Sequence, residues 1–163
     1  MGAFATAVQD YLCESFAASV PAVDWEMEYR IAGMPVDVAG VGDTQLFLIE
    51  LEWRRADPAD NAAKLFRHLD SGEIAAEAVT VFQLFTNYYD LRRGGVSSKR
   101  KNAEFVGRMA AASVGRLSYA AVDVDIDPPK RGGEWPDTWQ EVVDDTVATL
   151  RKQSETSGSA TPR

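Results

Sequence analysis

The sequence predicts a mixed α/β fold, with one sheet that has helices on both faces. Apolar residues recur at helical spacing in four segments, and short apolar or alternating runs typical of strands occur in five. Three of the strand-like runs follow one another directly, which predicts an antiparallel meander. Helices separate the later runs, which predicts parallel crossover connections. The expected order is αβββαβαβα, in one domain over residues 1–153 with a disordered tail over 154–163.

The first half of the chain supplies one helix and the meander. The helix is predicted by an apolar stripe at four-residue spacing, formed by Phe4, Val8, Leu12 and Phe16. A half-exposed strand follows at 23–33, where apolar side chains alternate with charged ones. Strands at 35–41 and 44–55 complete the meander, joined by a turn at Gly42 and Asp43. The last of the three is nearly all apolar, which predicts a central position in the sheet.

The second half begins with a helix from Asp57 to about Gly72. Asp57 is a good N-cap, and Pro58 follows at the first helical position. The remaining elements are a buried strand, a helix, a strand and a final helix, predicted at 79–88, 99–113, 117–126 and 135–152. The aromatic residues of 85–90 suit either strand-end packing or base stacking, and Trp135 is expected to anchor the final helix.

Composition limits the classes of function. The net charge of −8 argues against a general nucleic-acid coat, because phosphate binding relies on Lys and Arg. The segment 92–101 nevertheless holds five of the seventeen basic residues and no acid, so it is either a solvated loop or a local phosphate-binding patch. The single cysteine, Cys13, cannot form an internal disulfide, which predicts a reducing, cytoplasmic location. No apolar run is long enough to predict a membrane span.

Two glutamates interrupt the apolar strand at 44–55. Glu50 and Glu52 point to the same face, about 6–7 Å apart, because alternate strand residues share a face. Asp37 lies in the preceding strand, where it can pair alongside Glu50. A strand end that meets water would explain an isolated pair of glutamates. Three acids on adjacent strands instead predict a site for a hard cation, Mg²⁺ or Mn²⁺.

The helix after this strand carries a polar stripe. Asp57, Asn61, Lys64 and His68 fall within about a sixth of a turn of one another. The stripe faces either solvent or the acids. Because the connection from the strand is short, Lys64 is expected to reach the acids, and Asn61 and His68 are further candidates for the site.

At these residues the sequence resembles the PD-(D/E)XK nuclease superfamily, which has the restriction-endonuclease-like fold. The family core of a helix, a three-stranded meander, a helix and a strand matches residues 4–90. Asp37 matches the acid of the second strand and Glu50 the acid of the third. Glu52 stands where the family's lysine belongs, and Lys64 matches a variation in which that lysine lies on the following helix.

The resemblance implies Mg²⁺- or Mn²⁺-dependent hydrolysis of phosphodiester bonds in DNA, or in RNA. Asp37 and Glu50 would hold the metal with the backbone carbonyl of Leu51, Glu52 would orient or deprotonate water, and Lys64 would offset the charge on the phosphate. Nucleic-acid contacts are expected from the basic residues Arg54, Arg55, Arg92, Arg93, Lys99, Arg100 and Lys101.

Two alternatives remain open at the level of sequence. One is a relative that has lost catalysis and serves as a nucleic-acid-binding or protein-binding subunit. The other is an unrelated interaction protein whose Glu50 and Glu52 form a plain strand end. The resemblance also implies that the chain works as a homodimer or beside a partner subunit.

Overall fold

The computed structural model describes residues 2–72 and 74–158. Within these ranges five strands form one sheet in the order β1-β2-β3-β4-β5. The strands are β1 (Asp24–Ile31), β2 (Met34–Val41), β3 (Gln45–Glu52), β4 (Ala78–Thr86) and β5 (Leu117–Val124). The helices are α1 (Ala3–Ser19), α2 (Pro58–Asp70), α3 (Ser98–Ser113) and α4 (Trp139–Gly158), and a 3₁₀ turn follows β4 at Asn87–Tyr89.

The strand pairing confirms the mixed α/β class and the predicted connections. β1 pairs with β2, and β2 with β3, in antiparallel directions, so these three strands form the meander. β3 pairs with β4, and β4 with β5, in parallel, across the crossovers that contain α2 and α3. β3 is the central strand, with two strands on either side, as its apolar sequence predicted.

Two hydrophobic cores lie on opposite faces of the sheet. One is formed with α1 and α4, through residues such as Val8 and Val147, and the other with α2 and α3, through residues such as Leu65. Ile49 belongs to the first core and Leu48 to the second, because neighbouring strand residues point to opposite faces. Helices therefore cover both faces. Among the described residues, every helix is too short or too polar to cross a bilayer.

The last helix differs from its prediction at both ends. α4 starts at Trp139 and continues to Gly158, so the prediction of a disordered tail from residue 154 is wrong for 154–158. No proline lies in this stretch, so its backbone can continue the helix. Ser154 Oγ donates to the carbonyl of Leu150, one turn back, at 2.9 Å. The remainder of the predicted tail, 159–163, lies outside the described residues.

Candidate functional site

The pairing of β2 with β3 opens at Asp37 and Glu50. Regular pairing ends at Val38 and Ile49, and one more step in the same register would set Asp37 opposite Glu50. Instead, Asp37 Oδ2 accepts a hydrogen bond from the backbone N–H of Leu51 at 2.7 Å. In a regular antiparallel pair, a backbone carbonyl of β2 would accept the hydrogen bond from an N–H of this kind. Here the carboxylate of Asp37 accepts it, and this fixes Asp37 beside the end of β3.

An irregularity in β1 and β2 accompanies this opening. Glu28 has a φ of 55°, and Val36 and Val38 pack in opposite cores although they are only two residues apart. Gln9 of α1 is buried behind the irregularity, where its Nε2 donates to the carbonyl of Asp37 at 2.7 Å and to Glu28 Oε1 at 3.1 Å. A positive φ at a non-glycine residue costs about 1–3 kcal/mol and is concentrated at functional sites. The distortion holds Asp37 where the strands separate.

Glu50 is a buried carboxyl with an unpartnered oxygen. Its side chain is 4% exposed, and Oε1 has no hydrogen-bond partner among the described residues. Burial raises the pKa of Glu50 well above its usual range, and the neighbouring charges of Asp37 and Glu52 raise it further. Burial also raises the pKa of Asp37, although the N–H of Leu51 opposes this effect. Such a pair needs either a proton or a cation to offset its repulsion.

Glu52, in contrast, is enclosed by protein partners. It is fully buried, Gln83 Nε2 donates to its Oε1 at 2.8 Å, and Arg55 Nε donates to its Oε2 at 3.1 Å. Burial raises the pKa of Glu52, while the hydrogen bond from Gln83 and the charge of Arg55 lower it. The hydroxyl of Tyr119 donates to Gln83 Oε1 at 2.7 Å, which extends the chain of hydrogen bonds to β5. Neither glutamate therefore lies at a strand end that meets water.

The set of acids that can hold a cation is smaller than the sequence predicted. Within 2–72 and 74–158, no group of three or more His, Cys, Asp or Glu side chains is arranged to hold a metal ion together. The partners of Glu52 explain why it does not join Asp37 and Glu50. Two carboxylates suit Mg²⁺, which binds one or two such groups and completes its shell with water and phosphate oxygens. The unpartnered Oε1 of Glu50 beside Asp37 therefore fits a hard cation.

Asp37 has access to the surface through a small cavity at the end of β3, and Glu50 lies behind it, outside the cavity lining. This cavity, which we call the metal-site cavity because Asp37 is a candidate metal ligand, has a volume of about 270 Å³ and is lined by Gly2, Asp37, Leu51, Trp53, Arg54 and Arg55. The carbonyl of Leu51 accepts a hydrogen bond from the N–H of Trp53 at 3.0 Å and keeps a second lone pair. Arg55 lines the cavity with a side chain that is 44% exposed, so its guanidinium can face a ligand and Glu52 at once.

The structure does not bring Lys64 to these acids, in contrast to the prediction. Lys64 Nζ pairs with Asp60 Oδ2 at 2.7 Å, one turn earlier on the solvent face of α2, and both side chains are 56% exposed. Asn61 lies closer: it lowers the pKa of Glu52, although its buried Nδ2 makes no hydrogen bond of ordinary length. His68 lies in the last turn of α2, at the opposite end of the helix from Pro58. Arg55 is the cation at the cluster.

Most of the predicted basic patch is exposed. Arg92, Arg93, Lys99 and Lys101 lie on the surface. Arg100 is the exception, because it is 7% exposed and pairs with Glu104 and Asp123. Its guanidinium also lies over the ring of Phe85, at 4.8 Å from the centroid. Arg100 therefore joins α3 to β5 and is not free to contact phosphate, which corrects the prediction for this residue.

Two tyrosines connect the basic patch to the acids. The hydroxyl of Tyr89 accepts from the N–H of Arg55 at 2.9 Å and donates to its carbonyl at 3.0 Å. Tyr88 is 39% exposed, and the guanidinium of Arg54 and the ammonium of Lys99 lie 5.3 and 5.7 Å from its ring centroid. An exposed aromatic ring with cations beside it thus lies next to the end of β3.

Gln9 and Gln83 contribute to the site although the sequence analysis did not single them out. Gln83 had a visible signal, since it is the one polar residue inside the apolar stretch VFQLF of β4. Gln9 is polar but lies next to Val8 on the apolar stripe of α1. A glutamine at a core position needs partners, because burying an unpaired amide is costly.

Comparison with known proteins gives no functional assignment. No protein-family model matches the chain, and no curated protein is detectably similar to it. Among solved structures, it is similar to the crystal structure of protein VC1899 from Vibrio cholerae, with 18% sequence identity and a TM-score of 0.41. That similarity covers 88% of this chain and 32% of the other, so this chain spans about a third of that protein's length.

Proposed function

We propose that this protein is a metal-dependent nuclease of the PD-(D/E)XK type, with a restriction-endonuclease-like fold, which hydrolyses phosphodiester bonds of DNA or of RNA. The observation that carries the proposal is the unpartnered, buried Oε1 of Glu50, next to Asp37, which lines a surface cavity. Burial of two like charges side by side is unfavourable unless a proton or a bound cation offsets their repulsion. A divalent cation is the ligand that these oxygens suit best.

Asp37, Glu50 and the carbonyl of Leu51 are the groups that would hold Mg²⁺ or Mn²⁺. A bound cation of this kind polarises a phosphoryl oxygen and lowers the pKa of a coordinated water. The hydrogen bond from the N–H of Leu51 orients the carboxylate of Asp37. Gln9 bonds the carbonyl of Asp37, so the backbone at this residue is held from α1 as well. The protein thereby holds Asp37, one of the three oxygen donors, in a fixed position.

We assign the role of the motif lysine to Arg55 instead of Lys64. Arg55 lines the metal-site cavity, and its Nε donates to Glu52 Oε2 at 3.1 Å. A cation fixed in this way offsets the negative charge that develops on the phosphate during the reaction. Glu52 then serves to orient Arg55, while Gln83 holds Glu52 from β4. This arrangement explains how a glutamate can replace the motif lysine without loss of a positive charge at the site.

The surface beside the cavity suits a nucleic acid more than a small phosphate ester. Arg54 and Lys99 flank the exposed ring of Tyr88, which would support a base while the two cations contact phosphates. Arg92, Arg93 and Lys101 extend the positive charge along the same segment. Because the protein as a whole carries a charge of −8, binding should be confined to this side of the molecule.

A cleavage assay with labelled DNA and RNA in Mg²⁺ and in Mn²⁺ tests the proposal. We expect Glu50→Gln and Asp37→Asn to reduce cleavage at least about 100-fold, a loss of the size seen when one group that stabilises the transition state is removed. Glu155→Gln, an exposed substitution of the same kind on α4, is the matched control and should retain full activity. Residual cleavage that is equal in all four proteins would show that contamination is the source.

A second candidate is a non-catalytic subunit that binds nucleic acid or protein. It is favoured by the full burial of Glu52 at the position of the motif lysine and by the surface pairing of Lys64 with Asp60. This candidate predicts that the wild-type protein binds labelled DNA or RNA without cleaving either in Mg²⁺ or Mn²⁺. The same samples can be examined by electrophoretic mobility shift, so one experiment separates the two functions.

A further inference from the structure

A second and larger cavity adjoins the metal-site cavity. This outer cavity has a volume of about 590 Å³ and lies between the start of α1 and the loop 129–135. Gly2 and Trp53 line both cavities, so the two are adjacent. Arg54 Nη1 donates to the carbonyl of Pro129 at 3.4 Å, which ties the loop to the chain segment that follows β3. A molecule bound at Asp37 can therefore extend into the outer cavity.

Aromatic rings form one wall of the outer cavity. Trp135 stacks on Phe4 with a centroid distance of 4.7 Å and an interplanar angle of 13°. Trp53 meets the edge of Phe4 at 5.0 Å and 85°. Phe4 itself is buried, whereas Trp135 is 43% exposed. The wall is thus held by its packing and still presents indole surface to solvent, so the expectation that Trp135 only anchors a helix does not explain its exposure.

Two cations lie at the tip of the loop that closes the outer cavity. The N–H of Gly133 donates to the carbonyl of Lys130 at 2.7 Å, and Gly132 has a φ of 80°, the conformation that the third residue of a type II turn requires. The turn places Lys130 and Arg131 side by side on the surface. Neither forms an ion pair with any residue that the structure describes. Their charges are available to an anionic ligand.

We propose that the outer cavity binds one unpaired nucleotide of the substrate strand, with its base against Trp135 and its phosphate at Lys130 and Arg131. This inference rests on the proposed nuclease function and specifies the substrate as a strand with a single-stranded region beside the cleaved bond. A base inside a duplex cannot enter a walled cavity, whereas an unstacked base can stack on an aromatic side chain. The volume of about 590 Å³ accommodates a group of this size.

The test measures binding by fluorescence anisotropy, with a labelled single strand of about 12 nucleotides and a blunt duplex of the same sequence. Ca²⁺ replaces Mg²⁺, and gel analysis confirms that the strands stay intact. The variants are Lys130→Ala combined with Arg131→Ala, and Trp135→Leu. The matched control is Arg151→Ala combined with Lys152→Ala, an adjacent basic pair on α4. Circular dichroism melting verifies that each variant folds.

We expect the Lys130/Arg131 variant to weaken single-strand binding and to reduce the slope of log K against log salt by about 0.7, the value for one lost phosphate contact on a single strand. Trp135→Leu should weaken single-strand binding at least about fivefold and leave duplex binding unchanged, because only an unpaired base can stack there. The control pair should match the wild type. Thymidine monophosphate should compete only far above the Kd of the oligonucleotide, because it lacks the contacts at the metal site.

Several outcomes would overturn the inference. Wild-type affinity in both cavity variants would overturn the base pocket. If the wild-type protein still cleaves nucleic acid in that case, the proposed nuclease function would stand and only the base pocket would be refuted. An equal loss for single strand and duplex, with no effect of Trp135→Leu, would show a basic patch without a base pocket. Competition by the mononucleotide at the oligonucleotide's own Kd would show that the ligand is a free nucleotide. Absence of both binding and cleavage in the wild type would refute both proposals.

Discussion

The two sides of β3, one toward β2 and one toward β4, differ in the partners that they give to a buried glutamate. Toward β2, pairing stops at Val38 and Ile49, and Glu50 is left with an unpartnered oxygen beside Asp37. Toward β4, pairing continues through Glu52, whose oxygens are bound by Gln83 and Arg55. We call these the open seam and the closed seam. Two glutamates only two residues apart thus have different partners, although both are buried.

The difference shows that burial alone does not identify a ligand-binding acid. Glu52 is as buried as Glu50, yet its protein partners already satisfy both of its oxygens. Glu50 has lost access to water without a full set of replacements. The open seam is therefore suited to a cation, and the closed seam to holding Arg55 and the parallel strands in place. Substitutions on either side of β3 can test this division.

Gly107→Ala should have the largest effect on stability, through the closed seam. A Cβ at Gly107 would collide with the ring of Tyr119, whose hydroxyl bonds Gln83. We expect a loss of about 1–3 kcal/mol in the free energy of unfolding, the usual cost of overpacking. Urea denaturation measures it, with Gly115→Ala as the control because a Cβ there meets nothing within 4 Å. Equal stability of the two variants would contradict the tight packing of Tyr119.

Glu52→Gln should have a smaller effect, a loss of about 1–2 kcal/mol in the free energy of unfolding. The substitution removes the negative charge of Glu52, which binds Arg55 and also strengthens the hydrogen bond from Gln83. Glu50→Gln should not destabilise the metal-free protein at neutral pH, since an amide has the neutral charge that burial favours at this site. Urea denaturation of both variants at one pH gives the comparison. A greater loss for Glu50→Gln than for Glu52→Gln would reverse the roles of the two seams.

The pH dependence of the free energy of unfolding isolates the effect of the charge of Glu50 at the open seam. Because the folded-state pKa of Glu50 is raised, the folded protein favours the protonated form. Its contribution to stability is then present below the ordinary glutamate range, near pH 4.3, and is lost as pH rises through the raised pKa. The stability of Glu50→Gln relative to wild type should therefore increase with pH when metal is absent. Denaturation over a pH series measures this, and a difference that is constant with pH would contradict it.

The local pattern of the sequence predicted the strands well, but it did not predict the contacts between elements. The alternation that places Leu48, Glu50 and Glu52 on one face of β3 is a property of any strand, and it is confirmed. The positive φ of Glu28 leaves no comparable signal, because nothing in the alternating stretch around it requires a glycine conformation. The end of the pairing between β2 and β3 was therefore not predictable from the sequence, although the acids at that position, Asp37 and Glu50, were predicted.

The positions of the basic residues depended on which partners they found in the fold. Lys64 lies on a polar stripe whose width left the rotation of α2 undetermined, and its pair with Asp60 turns it to solvent. Arg100 belongs to a run of exposed cations in sequence, but it pairs with Asp123 of β5 once the parallel crossover brings the two together. The spacing of residues along the sequence does not predict whether Lys64 or Arg100 is exposed. The exposure of a helical residue depends on which elements pack against its face of the helix.

Binding of Mg²⁺ or Mn²⁺ at the open seam is the central claim, and thermal or urea unfolding with increasing metal concentration tests it most directly. At about a hundredfold excess over Kd, binding to the folded state should stabilise the wild-type protein by about 2.7 kcal/mol. Asp37→Asn and Glu50→Gln should abolish this gain, and Glu155→Gln should retain it. A wild-type protein whose stability does not respond to either metal, or an equal response in all four proteins, would contradict the claim.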